Sequence, residues 1–191
     1  LSFPAIADQC ENITTPVSIA TATVTNSVPG SGVYSGPGTT SAGMFNPSVA
    51  GAGTHTITYD FTSTSGCTAT ITSTVLVRAK PVVDFTDNVT GCLGPNGTVN
   101  FTNNSTIGDG QTLTYAWDFD DPNATGGNPN TSTVLNPSHN FQEGTYNVKL
   151  TVTTNNGCID EKISTFTYGV TPVINFPALT GDCENVSTPL S

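Results

Sequence analysis

The sequence predicts an all-β protein made of tandem β-sandwich domains, and three observations carry that prediction. The 191 residues include 35 Thr, 16 Ser and 18 Asn beside 19 Gly and 13 Pro. Thr favours strands, while Gly, Pro and Asn punctuate turns. Short runs with a two-residue apolar period recur along the chain, and turn-forming clusters separate them. Only 9 % of residues are charged, with 4 Lys plus Arg against 14 Asp plus Glu and a formal charge of −10. So low a charge density excludes a disordered acidic tail. The shortage of cations excludes a nucleic-acid binder, which displaces counterions with Lys and Arg. No apolar run approaches the ~20 residues of a membrane span. No basic stretch followed by an apolar one opens the chain, so an export signal is expected to be already removed or to lie far upstream.

An internal echo sets the order of the domains. Residues 3–18 (FPAIADQCENITTPVS) return as 176–191 (FPALTGDCENVSTPLS), shifted by 173, with nine of sixteen positions identical and four conservative exchanges. The chain therefore reads as one period of 173 residues and the opening of the next. A weaker echo divides the period. Lys80-Pro81-Val82-Val83-Asp84-Phe85 matches Thr171-Pro172-Val173-Ile174-Asn175-Phe176, and Leu1-Ser2-Phe3 is the tail of the same motif. Pro stiffens each junction. The expected domains are a Thr-rich one at 1–79, a second at 80–170, and the start of a third at 171–191.

In the first domain, residues 18–25 are expected as an early strand, and 29–53 as a Gly-rich stretch. Residues 55–61 and 67–77 then form a closing hairpin around Ser63-Thr64-Ser65-Gly66. Ile57, Tyr59 and Phe61 share one face of their strand. In the second domain Tyr115, Trp117 and Phe119 alternate in one strand, and Tyr146, Val148, Leu150 and Val152 in a later one. With strands at 98–102 and 159–167, this makes about seven strands in about ninety residues, the pattern of an immunoglobulin-like sandwich.

Five cysteines punctuate the chain: Cys10, Cys67, Cys92, Cys158 and Cys183. Cys183 is the counterpart of Cys10, and its partner is expected beyond the end of this chain. Within the period, Cys10 and Cys92 each follow an opening strand. Cys67 and Cys158 each follow a Gly at the turn into a last strand. The same placement twice predicts the disulfides Cys10–Cys67 and Cys92–Cys158, each worth roughly 4 kcal/mol in the chain-entropy model. Disulfides in turn imply an extracellular location. No Cys-x-x-Cys or His-rich spacing supports zinc.

The second domain resembles the PKD domain, the immunoglobulin-like module named after polycystic kidney disease. That family carries Tyr-x-Trp-x-Phe-Gly-Asp-Gly, then Pro-x-His-x-(Phe/Tyr), then Gly-x-Tyr-x-Val-x-Leu-x-Val. Here the first motif is Tyr115-Ala116-Trp117-Asp118-Phe119-Asp120-Asp121-Pro122, with both family glycines replaced, which points to a longer loop through Asn130. The second is Pro137-Ser138-His139-Asn140-Phe141, and the third runs complete from Gly144 to Val152. The first domain resembles the Thr-rich immunoglobulin-like repeats of giant Bacteroidota cell-surface adhesins, through Tyr34-Ser35-Gly36-Pro37-Gly38, Gly43-Met44-Phe45-Asn46-Pro47 and Ala50-Gly51-Ala52-Gly53-Thr54. That resemblance implies export by type IX secretion and a role in adhesion or gliding motility.

Chemistry is sparse. The two imidazoles, His55 and His139, fall in different domains, and His139 is expected to pack and to bond a loop. No Gly-x-Ser-x-Gly, His-Glu-x-x-His or phosphate-cradling loop occurs, so no enzyme is expected. The best ligand candidate is Asp118, Asp120 and Asp121 with Asn123 and Asn128 in one loop, an oxygen-rich turn suited to Ca²⁺. A carbohydrate site would need free aromatic rings. Trp117, Tyr115, Tyr146 and Tyr59 read as core, which leaves Tyr34 and Phe45 in the Gly-rich stretch.

The sequence therefore points to a structural repeat of a long extracellular stalk, filament or adhesin. Its partners would be neighbouring repeats of the same chain, and the sequence leaves open lateral self-association between chains. The net charge divides as −2 for residues 1–79, −6 for 80–170 and −2 for the tail, and would keep neighbouring stalks from clumping. The rivals are a glycan- or matrix-binding module and an accessory region of a secreted hydrolase.

Overall fold

The computed structural model describes residues 1–89, 97–169 and 174. These residues are nearly all strand and turn, and they gather around two hydrophobic cores.

The first core is built on β1 (Gln9–Cys10), β2 (Val17–Ser18), β3 (Gly30–Ser35), β4 (Met44–Phe45), the short α1 (Pro47–Ala50), β5 (Gly53–Ser63) and β6 (Thr68–Arg78). One sheet runs in the order β1-β6-β5-β3, with β1 parallel to β6 and the other pairs antiparallel. The two-residue period of β5 puts Ile57, Tyr59 and Phe61 inside, where they meet Val75 and Val77 of β6. Opposite the sheet lies mostly irregular chain. Residues 18–25 do not form the expected strand. Val17 and Ser18 pair with β4, and Ser2 bridges Thr23. Between them the Ala22 amide donates to the Tyr34 hydroxyl at 3.1 Å, and Asn26 and Ser27 adopt left-handed φ of 65° and 51°, which ends the extended run. Ile19 remains buried, with Ala22 and Val24 against the same core.

The second core lies between two sheets. They use β7 (Phe85–Asp87), β8 (Thr98–Asn103), β9 (Leu113–Asp118), β10 (Thr131–Ser132), β11 (Ser138–Asn140), β12 (Gly144–Thr154) and β13 (Ile159–Tyr168). One sheet has the order β10-β9-β12-β13 and the other β11-β8-β7. The seven strands form the immunoglobulin-like sandwich that the alternation predicts. Trp117 is 1 % exposed at its centre, and its indole N–H donates to the Val134 carbonyl at 3.0 Å. Phe85 and Phe101 pack on Trp117 with ring centroids 5.0 and 5.4 Å away.

Candidate functional site

The aspartate loop follows β9 and is consumed by internal hydrogen bonds. Asp118 Oδ1 accepts from the Asp120 amide at 3.1 Å and from Asn130 Nδ2 at 2.9 Å. Asp120 stands where the family motif has glycine, and its φ of 55° is the left-handed conformation that favours glycine. Its Oδ2 accepts from both nitrogens of Asn147, at 3.0 and 3.2 Å, which holds the turn onto β12. Asp121 is buried. One of its oxygens accepts from the Asn123 amide at 2.8 Å, and the other lies 2.9 Å from His139 Nε2. His139 is buried as well and stacks on Phe119 at 4.4 Å. Asn128 exchanges two bonds with the backbone of Asn140, at 2.7 and 3.1 Å. The three carboxylates thus turn to three different sets of donors. Among the described residues no group of three His, Cys, Asp or Glu is placed to hold a metal ion.

The aromatic candidates for carbohydrate binding do not survive. Tyr34 is 8 % exposed and Phe45 fully buried, both inside the first core. The Gly-rich stretch is not open loop, because β3, β4 and α1 fold it against the sheet. Asn46 caps α1 by accepting from the Ser48 and Val49 amides, with Pro47 at the first helical position. His55, at the start of β5, bonds the Gly51 carbonyl at 2.8 Å.

The cysteines correct the sequence reading most sharply. Cys10 is joined to Cys158, across the junction between the two cores, with the Cα atoms 5.4 Å apart. The expected Cys10–Cys67 bond is geometrically impossible. Cys10 pairs with Arg78 at the far end of β6, whereas Cys67 precedes its first residue. Eleven residues of strand put the two ~35 Å apart, and a disulfide spans less than ~7 Å between Cα atoms. The Cys92–Cys158 pairing fails because Cys158 is already bonded to Cys10. Cys67 is a free, exposed thiol. Cys92 and Cys183 lie outside the described residues. Beside the disulfide, Lys80 Nζ meets Asp160 at 2.7 Å and the Lys80 amide donates to Glu11 at 3.4 Å. A cleft of about 520 Å³ remains between Leu76, Val77 and Ala79 on one side and Gly108, Asp109 and Gln111 on the other.

The hairpins that carry Cys67 and Cys158 are alike bond for bond. In β5–β6 the Ser63 amide donates to the Cys67 carbonyl, Gly66 to the Ser63 carbonyl, and Cys67 to Ser63 Oγ, at 2.9, 2.9 and 3.0 Å. In β12–β13 the same bonds join Thr154, Gly157 and Cys158 at 2.9, 2.9 and 3.1 Å. Gly66 and Gly157 hold φ of 85° and 83°, which the turn requires of glycine. The correspondence extends back along the strand. Tyr146 donates to the Gln142 carbonyl four residues upstream at 2.9 Å, and His55 bonds Gly51 over the same span. A constant offset of 91 residues (55 to 146, 67 to 158) records this in the sequence. It was the signal available for seeing that the two hairpin cysteines occupy one structural position.

Two ionisable groups of this sandwich are shifted. Burial raises the Tyr146 phenol, with the Asp121 carboxylate adding to it. The hydrogen bond and charge of Lys162 lower Asp84.

Residues 78–169 match the PKD domain family. This part of the chain is a PKD domain. It is similar to the PKD1 domain of Vibrio anguillarum Epp at 29 % identity, over 48 % of this chain and 96 % of that one, with a TM-score of 0.39. It is similar also to the PKD1 domain of the Vibrio cholerae metalloprotease PrtV at 30 % identity, over 48 % and 99 %, with a TM-score of 0.38. No curated protein matches the chain. Within the PKD domain the buried Asp121–His139 pair ties the first motif to the second, and Tyr146 anchors the third to the turn before it. Among the described residues no helix is long and apolar enough to cross a membrane.

Proposed function

We propose that the chain is a tension-carrying spacer, a repeat of a long extracellular stalk or adhesin on a bacterial surface, serving adhesion or gliding motility. The observation that carries this reading is the disulfide between the two sandwiches. Tension entering near Leu1 and leaving beyond Tyr168 passes from Cys10 directly to Cys158. The intervening chain, which includes most of both cores, lies in a covalent loop outside the line of force. Between Leu1 and Tyr168 the load then falls on residues 1–9 and on the pairing of β13 with β12, while the length stored in the loop is withheld from extension. The 173-residue return of the sequence supports repetition, because tandem duplication adds length rather than a unique site. An interdomain disulfide also favours an oxidising, extracellular setting.

Single-molecule pulling of the chain by its termini tests the proposal. The disulfide spans a sequence separation of 148, which extends to roughly 500 Å at ~3.3–3.6 Å per residue. The oxidised protein is expected to withhold that length and the reduced protein to release it. Equal extension under both conditions overturns the reading.

The glycan-binding alternative lost its aromatic platforms when Tyr34 and Phe45 proved to be core. What supports it is a polar cleft of about 570 Å³ lined by Asp121, Asn123, Thr125, Asn128, Asn140 and Gln142. Binding of a glycan array by the oxidised chain, lost on Asn128→Ala, would favour it over the spacer. An accessory role beside a hydrolase would be favoured by a catalytic domain in the same polypeptide.

A further inference from the structure

We infer that the line of force through the unit is extended in advance: residues 1–10, the Cys10–Cys158 bond and β13 form one taut covalent path, so the oxidised unit is a tether that hardly lengthens and not a spring. The inference rests on the spacer reading above and adds how far the unit can stretch.

The first half of the path runs the length of the first sandwich. Leu1 lines the same cleft as Thr68 and Ala69, at the start of β6. The Ser73 hydroxyl donates to the Pro4 carbonyl at 3.0 Å. Gln9 and Cys10 then pair in parallel with Val77 and Arg78, at the end of β6. Residues 1–10 therefore keep pace with β6 from one end to the other. From Ala69 to Arg78 the strand covers ~30 Å at ~3.3 Å per residue. The steps from Leu1 to Cys10 cannot reach beyond ~32 Å, so little slack remains. Two backbone bonds between Ser2 and Thr23, at 2.9 and 2.8 Å, pin the far end.

The second half starts where the first ends. Lys80, just beyond the end of β6, meets Asp160 near the start of β13 at 2.7 Å, beside the disulfide. From there β13 stays paired with β12 from Ile159↔Thr153 to Tyr168↔Gly144. A strand already stands close to the greatest length its backbone permits, ~3.3 Å against at most ~3.6 Å per residue.

Both halves are also edge elements. Among the described residues, β1 closes one side of the β1-β6-β5-β3 sheet and β13 one side of β10-β9-β12-β13. Either can detach without drawing an interior strand after it, and what detaches is a chain of nearly the same length. Within the two halves the gain is on the order of 10 Å, against roughly 500 Å held in the covalent loop.

The test pulls the oxidised 191-residue chain between a handle on Leu1 and a clickable residue placed at Gly169. It reads the contour length released before a covalent bond breaks. The expected release is on the order of 10 Å. It is expected to stay there in Ile57→Val and Val148→Ala, which remove buried methyl groups from the two cores inside the loop. A release several times larger, or one that grows in either variant, overturns the inference. An intermediate release that reduction still raises to the full loop length sinks the taut path alone. Release of the whole loop from the oxidised chain sinks the spacer reading with it.

Discussion

The two sandwiches share a hairpin and differ in how they close over it. The PKD domain places a second sheet opposite, β11-β8-β7, and fills the gap with Trp117 and a set of phenylalanines in mutual edge and stacked contacts. The first sandwich lays loops there instead. Its cover is the β2–β4 pair, the Ser2–Thr23 bridge, and single bonds such as Ile19 to the Gly43 carbonyl and Ala22 to Tyr34. The comparison teaches that the long hairpin with its cysteine is the invariant half. The covering layer can be regular strand or hydrogen-bonded loop, provided it delivers apolar side chains such as Phe45 and Ile19.

The strongest way to break that comparison is to damage one core and watch the other. Phe101→Ala in the PKD domain is expected to cost ~3–5 kcal/mol, and Ile57→Ala in the first sandwich ~2–5 kcal/mol. Trp117 is the sole tryptophan of the chain and reports the PKD domain by fluorescence. In urea under reducing conditions, Phe101→Ala should lower the fluorescence midpoint, and Ile57→Ala should lower only the circular-dichroism transition of the first sandwich. A common shift in both signals would mean the two cores fold as one body.

A smaller effect sharpens the match between Tyr146 and His55. Tyr146→Phe removes one hydrogen bond to a carbonyl and is expected to cost about 1 kcal/mol, read from the fluorescence midpoint. Burial raises the folded pKa of Tyr146 above its ordinary value. Its contribution is therefore fully present below ~10 and is lost as pH rises through the folded value, because the unfolded chain gives up the proton first. Wild type should lose stability in that alkaline window more steeply than Tyr146→Phe. Parallel curves would remove the phenol from the account.

The smallest expected effect is none. Chelation with EDTA should leave the melting temperature of the PKD domain unchanged, since Asp118, Asp120 and Asp121 each hold their own internal donors. A drop of several degrees would show that calcium reorganises the loop and would restore the site that the sequence suggested.

The sequence by itself determined the all-β class, the seven strands of the PKD domain and its three motifs. Those features follow from local pattern: the two-residue period of Tyr146, Val148, Leu150 and Val152 buries one face wherever the strand lies. Tertiary structure alone decided the fate of isolated residues. Tyr34 and Phe45 look free in a Gly-rich stretch, yet the turns fold them onto β5, and no local pattern records that return. The cysteines are the plainest case. Their spacing gave equal positions in the two domains, but β6 carries its ends ~35 Å apart, so Cys10 and Cys67 lie at opposite ends of the first sandwich. Which thiol meets Cys10 is set by which domain's hairpin reaches that end, and that is a property of the junction rather than of either sequence.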